Sequence, residues 1–228
     1  MIFSLALSTV TIILAFGCVY FRRKGMSFEG MLFKFMSSIS FISVAFSGYY
    51  FNPVNPAYFV LVSFGLIFGL MGDVLLGIKE IAPTFRSKLI IFGTSSFLVG
   101  HIFYLVSFVS IGGFGLIPVV VGVLGSVLGI AIIKTTHARV DKKMAAVLAF
   151  YYGILFIKLA VTVMNYIKMR DFSSVFTVAG CLLFIISDTC LSFVYFTPVK
   201  KKNTFVTAEL ATYYVAQIAI SLSVAFMR

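Results

Sequence analysis

Apolar residues run along this chain in stretches of about twenty, broken by short polar clusters. The stretches fall at about 2–21, 31–51, 58–78, 89–110, 116–133, 144–165, 175–196 and 206–227. Each is long enough for a helix to cross roughly 30 Å of hydrocarbon. The pattern predicts an all-α polytopic membrane protein, a bundle of about eight transmembrane helices in which residues 1–228 form a single integral membrane domain. The opening stretch has no basic region ahead of it and no small-x-small cleavage pattern before Arg22, so it reads as the first span rather than a signal peptide.

The clusters between the stretches alternate in character. RRKGMSFEG, KEIAPTFRSK, KTTHARVDKK and the lysines at 200–202 are basic, whereas NPVNPA and IGGFG carry no charge. With Lys34 counted in the first, the odd-numbered loops hold 14 of the 18 Lys and Arg residues, and the even-numbered loops hold only Lys168 and Arg170. Basic loops stay on the cytoplasmic side. Both termini are therefore expected on the opposite face. The membrane is expected to be the endoplasmic reticulum in a eukaryote or the cytoplasmic membrane in a bacterium.

Composition narrows the class. The chain is 61% hydrophobic and 11% charged, whereas about a quarter of a soluble domain is charged. The net charge of +11 would suggest nucleic acid in a soluble protein; here it reads as topology and attraction to lipid headgroups, and the expected partners are membrane lipids rather than nucleic acid. Cys18, Cys181 and Cys190 lie inside apolar stretches, which argues against a disulfide framework or a Cys-type zinc site.

Two acids stand where a bilayer tolerates them least. An ionised Asp at a helix centre costs about 2.5–3.5 kcal/mol on insertion scales, so an intramembrane acid marks a functional position facing protein. Asp73 and Asp188 qualify, and their surroundings align: Gly72-Asp73-Val74-Leu75-Leu76 against Ser187-Asp188-Thr189-Cys190-Leu191. With four stretches per half, such a repeat implies two parallel four-helix halves and equal depth for the two aspartates. Glu209, near the start of the last stretch, reads as an interface residue, and Lys158 as an outer-half residue snorkelling outward.

Other polar positions form stripes. Thr94, Phe97, His101, Tyr104 and Phe108 share a face of the fourth stretch, with His101 read either as a packing residue or as a partner of an aspartate. Glu209, Tyr213, Gln217 and Ser221 recur every fourth residue, with Tyr214 adjacent, and Lys34, Ser37, Ser40, Ser43 and Ser47 line the second stretch. Gly65, Gly69 and Gly77 strip one face of the third, either to admit a substrate or to let helices approach. Lys34, Asp73, His101, Asp188, Tyr213 and Gln217 are expected to converge on one buried pocket in the cytoplasmic half. Two carboxylates sharing such a pocket would divide into a protonated acid and an ionised base.

The blocks LMGDVLLG, VGHIFYLVSF, GCLLFIISDTCLSF and ATYYVAQIAISLS, with a weaker FKF at 33–35, resemble the lysoplasmalogenase family of YhhN-like membrane proteins. The resemblance implies an eight-span hydrolase that takes a lysophospholipid substrate. It would cleave the vinyl ether of lysoplasmalogens to a fatty aldehyde and glycerophosphoethanolamine or glycerophosphocholine, with no cofactor. The family's aspartates would map onto Asp73 and Asp188 as the catalytic pair. Beside them His101 is a candidate to orient an aspartate or shuttle a proton. Tyr104, on the His101 stripe, is a candidate substrate-binding residue, as are Tyr213, Tyr214 and Gln217, candidate donors to substrate or water, and Lys34, a candidate phosphate contact. No metal-ligand cluster is expected. The main alternative is a proton- or cation-coupled transporter, which discontinuous helices would favour; Pro53, Pro56, Pro83, Pro118 and Pro198 all fall in loops or at stretch ends.

The orientation has a direct check. A cysteine placed at Lys201 should react with an impermeant maleimide only from the cytoplasmic side; labelling only from the opposite side would reverse the topology.

Overall fold

The structure, a computed structural model, describes residues 2–136, 138, 140–198 and 200–227. His137 and Arg139 of the third basic loop lie outside the described residues. Among the described residues there are eight α-helices and no strand: α1 (Ile2–Arg23), α2 (Ser27–Phe51), α3 (Pro56–Ile81), α4 (Arg86–Gly112), α5 (Leu116–Thr135), α6 (Lys142–Met169), α7 (Phe172–Phe196) and α8 (Lys202–Ala225). All eight are long and apolar enough to cross a membrane.

Most helices outrun their apolar stretches at the ends, because polar residues there cap and extend them. Asn55 accepts a hydrogen bond from the Tyr58 amide (3.0 Å) ahead of Pro56, Asp141 from the Met144 amide (2.7 Å) and Asp171 from the Ser174 amide (2.8 Å). These satisfy amide groups that a helix start leaves unpaired.

Six helices close a ring in the order α2, α3, α4, α6, α7, α8, while α3 also touches α8 across it. Outside the ring, α1 lies against α2 and α8, and α5 lies against α6. The pairings repeat from one half to the other: α1 with α2 matches α5 with α6, α2 with α3 matches α6 with α7, and α3 with α4 matches α7 with α8. The halves join where α2 meets α8 and where α6 meets α4. That is the pattern of two parallel four-helix halves. It also sets Asp73 and Asp188 alike, each eight residues before the end of its helix, at Ile81 and Phe196. At 1.5 Å per residue this is roughly 12 Å.

The surface is apolar and the interior partly polar, as a lipid solvent requires. Ile13, Phe16, Leu124 and Val127 point outward, whereas Lys34, Asp73, His101, Lys158, Asp188 and Gln217 are buried. Hydroxyl pairs stitch helices together: Thr11 with Ser40 (2.8 Å), Ser47 to Ser4 (2.9 Å), and Tyr58 with Ser223 (2.6 Å). The first two explain part of the serine stripe on α2, which faces α1.

Gly65 and Gly69 of α3 serve close packing, while Gly77 packs against Met31 and also lines a cavity. A Cβ at Gly65 would overlap the Tyr104 ring, one at Gly69 would come within 2.6 Å of Gln217 Nε2, and one at Gly77 would collide with Met31. On α4, a Cβ at Gly100 would meet the Gly65 carbonyl oxygen at 2.9 Å. Backbone cannot rotate aside as a side chain can. Gly100→Val should therefore lower the unfolding midpoint in detergent by the equivalent of about 1–3 kcal/mol. Gly115→Ala, whose new methyl has only Met164 Cε at 3.8 Å, should leave it unchanged. Equal midpoints for the two variants in a thermal size-exclusion assay would refute the close α3–α4 contact.

Candidate active site

The ring holds three buried carboxylates, Asp73, Asp188 and Glu209, and the two aspartates each have a lysine in their network. In the first half, Asp73 on α3 takes two hydrogen bonds at Oδ2, from Ser38 on α2 (2.6 Å) and from Tyr213 on α8 (2.7 Å). The Lys34 ammonium stands 3.1 Å from Oδ1, as an ion pair rather than a well-aligned hydrogen bond. The bonding continues inward. Gln217 donates its amide to the Tyr213 hydroxyl (3.0 Å), and the Tyr104 hydroxyl donates to the Gln217 carbonyl (2.7 Å).

In the second half, Asp188 on α7 is also bonded at Oδ2, from the Tyr151 hydroxyl on α6 (3.0 Å) and from His101 Nε2 on α4 (3.2 Å). The other ring nitrogen of His101, Nδ1, lies 2.9 Å from the Lys158 ammonium. An ammonium has only donors. With Lys158 as the ammonium, Nδ1 accepts, the ring proton sits on Nε2, and Nε2–H donates to Asp188. Lys158 thus reaches Asp188 through a neutral imidazole. Its ammonium also stands 4.4 Å from the Phe184 ring centroid, within cation–π range.

The two networks follow the repeat of the fold. In each half the second helix supplies a lysine and a hydroxyl, the third supplies the aspartate, and the fourth helix of the other half supplies a further donor, Tyr213 for Asp73 and His101 for Asp188. They do not merge. Phe184 packs against both, with its ring 4.9 Å from His101, 5.9 Å from Tyr213 and 6.1 Å from Tyr104, and the Tyr104 ring of the first network also lies 6.2 Å from His101 and 5.5 Å from the Lys158 nitrogen of the second.

This corrects the single shared pocket expected from sequence. With a lysine serving each aspartate, the carboxylates need not share a proton to be buried. Three placements also change. Lys158 does not snorkel outward but is fully buried against His101. Glu209 does not reach an interface; it is 4% exposed, with no cation within hydrogen-bonding or ion-pairing reach among the described residues. Tyr214 is buried beside Tyr213, yet its hydroxyl joins neither network. His101, Tyr104, Tyr213, Gln217 and Lys34 all stand in the networks.

Sequence reasoning missed Ser38, Tyr151 and Lys158. Ser38 sits one position off the serine stripe, on the side that faces α3. Tyr151, Lys158, Thr162 and Asn165 recur at three-, four- and sevenfold spacing on one buried face of α6, a polar stripe that sequence alone could have exposed.

Three cavities open toward this core. A polar vestibule of about 200 Å³ is lined by Arg22, Ser27, Lys34, Glu80, Lys202 and Asn203. Glu80 is held there by Lys79 (2.7 Å) and Arg22 (3.2 Å). A void of about 20 Å³ is lined by Asp188, Thr94, Phe97, Tyr151, Tyr152 and Tyr195 among others, and a larger apolar cleft adjoins it between α4 and α6. Asp73, 1% exposed, borders none of the three, whereas Asp188 lines the void directly. With both donors at Oδ2, Oδ1 of Asp188 takes no hydrogen bond from a described residue.

Comparison with known proteins is confined to one level. No curated protein and no solved structure matches the chain. The model of the YhhN family matches residues 30–224, a span that contains both aspartates, both lysines and every donor in the two networks. By that match this membrane protein belongs to the YhhN family, the lysoplasmalogenase-type family.

Proposed function

We propose that the protein is a membrane-embedded ether hydrolase that cleaves the vinyl ether of lysoplasmalogens, with Asp188 as the group that exchanges protons with the substrate. The observation that carries this reading is the placement of both Asp188 donors on Oδ2. A proton on the acid form then belongs on Oδ1, on a side chain that lines a cavity.

The chemistry balances around that one oxygen. Oδ1–H gives its proton to C2 of the alkenyl chain, the π electrons form the new C–H bond, and C1 becomes an oxocarbenium ion. The carboxylate left behind stabilises that cation, an electrostatic role that a low-dielectric site strengthens. Water then adds to C1 and returns a proton to Oδ1. The hemiacetal breaks its bond to the glycerol oxygen, its hydroxyl proton passes to that oxygen, and aldehyde and glycerophospholipid leave. One water is consumed; the void of about 20 Å³ has room for about one.

Tyr151 and His101 keep their bonds to Oδ2 in both protonation states of Asp188. Lys158 fixes the tautomer of His101 that can donate, and places a positive charge behind it. Asp73 has a different part in this reading. It holds Lys34 at the inner end of the polar vestibule, where Arg22 and Lys202 also stand, and this cationic lining suits the phosphate of a lysophospholipid. Such a substrate would be drawn from the leaflet beside the basic loops, which the positive-inside rule makes cytoplasmic.

Two experiments separate these roles. Purified protein is incubated with lysoplasmenylethanolamine and aldehyde release is followed. Asp188→Asn should cost roughly 10²–10⁴ in kcat, the range of a positioned acid–base group, with the protein still monodisperse. No aldehyde from folded wild type across vinyl-ether lipids would end the hydrolase reading.

The lysines give the second test. Lys158→Gln should lower kcat with KM little changed, because it acts behind the reacting group, whereas Lys34→Gln should mainly raise KM. The same kcat-to-KM split in both variants would contradict the division of labour between the two networks.

A further inference from the structure

The repeat that relates the two halves breaks at one place. α1 packs against α2 and also against α8, so it covers the outer groove between them; its counterpart α5 packs against α6 and makes no contact with α4. The matching groove between α4 and α6 is left open to the membrane.

That opening coincides with the largest of the described cavities, about 500 Å³, within the size range of small-molecule sites. Ile90, Ile91, Met144 and Val147 give it apolar walls, Ser87 and Ser95 add hydroxyls on α4, and Asp141 and Lys143 stand together at its rim, where the loop after α5 enters α6. Thr94 and Phe196 line both this cleft and the void at Asp188. The cleft therefore runs from the headgroup end of α4 and α6 toward the depth of the carboxylate. None of its walls belongs to the Asp73 network.

We infer that the α4–α6 cleft is a lateral portal that binds the aliphatic chain of a single-chain lipid and leads it from the bilayer to Asp188. The inference rests on the assignment of Asp188 to the reaction for its destination, but not for its binding. An aliphatic chain is the occupant that fits apolar walls opening sideways into hydrocarbon, and continuity with the Asp188 void gives it somewhere to lead. Closing α5 onto α4, as α1 closes onto α8, would seal this path; its displacement is what the portal requires.

The chain has no tryptophan, so one can be introduced as the sole indole reporter. Ile91→Trp places it in the cleft. Phe16→Trp places a control on the lipid-facing side of α1, where Phe16 is 71% exposed. Each variant, in unbrominated detergent, is titrated with a lysophosphatidylcholine bearing a dibrominated chain and, separately, with a dibrominated diacyl phosphatidylcholine. The portal requires saturable quenching of Ile91→Trp by the lysolipid at low mole fraction, at least about threefold stronger than by the diacyl lipid. Phe16→Trp should be quenched only in proportion to mole fraction, alike for both. Proportional quenching at both positions, or equal quenching of Ile91→Trp by both lipids, would overturn the portal and leave an ordinary lipid-facing groove.

A steric variant gives an independent reading. Val147→Phe narrows the cleft and should raise KM roughly tenfold for long-chain vinyl-ether lysolipids, the scale on which pocket shape discriminates. For a short-chain analogue KM should not change. An equal effect on both chain lengths would overturn the portal. Saturable quenching with no aldehyde release would retain the portal and remove the hydrolase reading; Asp188-dependent turnover without saturable quenching would do the reverse.

Discussion

An ionised carboxylate inside a membrane bundle is costly unless donors and positive charge match it, and the ring of this protein supplies both to Asp73 and Asp188. Leaving one such charge unpaired would cost several kcal/mol. The ring of six helices meets the requirement twice. Lys34 stands against Asp73 directly (3.1 Å), while Lys158 acts on Asp188 through His101 (2.9 and 3.2 Å). Each aspartate also takes a donor from the fourth helix of the other half. The halves are thereby tied together by the polar groups that a lipid solvent would otherwise penalise.

Similar ingredients yield different geometry because of one insertion. At Asp73 the lysine touches the carboxylate, closing both oxygens to any cavity. At Asp188 an imidazole intervenes, the donors gather on one oxygen, and the side chain borders a void. Near-symmetry supplies two charge-balanced sites, and its local departures specialise them. The same holds outside the ring, where α1 covers its groove and α5 leaves the equivalent groove uncovered.

Much of this was legible in the sequence. Apolar stretches of membrane length gave eight helices, and the small-Asp-x-x-Leu match pointed to parallel halves. The stripes of α4 and α8 delivered His101, Tyr104, Tyr213 and Gln217 because a bonding face repeats every three or four residues. What failed to be legible was partnership across helices. Lys158 looked like a snorkelling residue because depth along one helix says nothing of a histidine on another. Ser38 lay one position off a stripe that turned out to serve α1, and the single expected pocket became two networks because the Tyr104 hydroxyl bonds Gln217 rather than His101 or Lys158, a choice that spacing along one helix does not reveal. Glu209, buried without an ion-pair partner, has no physical account in this scheme.

The central claim is that a neutral His101 links Lys158 to Asp188, and nitrogen NMR tests it most directly. His137→Gln leaves His101 as the only histidine in the native chain, so protein labelled with ¹⁵N-histidine and carrying no affinity tag gives a single ring spectrum. The account predicts a neutral ring protonated at Nε2 with Nδ1 as acceptor, and loss of that acceptor signature in Lys158→Met, which has no donor. A ring protonated at Nδ1, or an imidazolium bearing both protons, would contradict it.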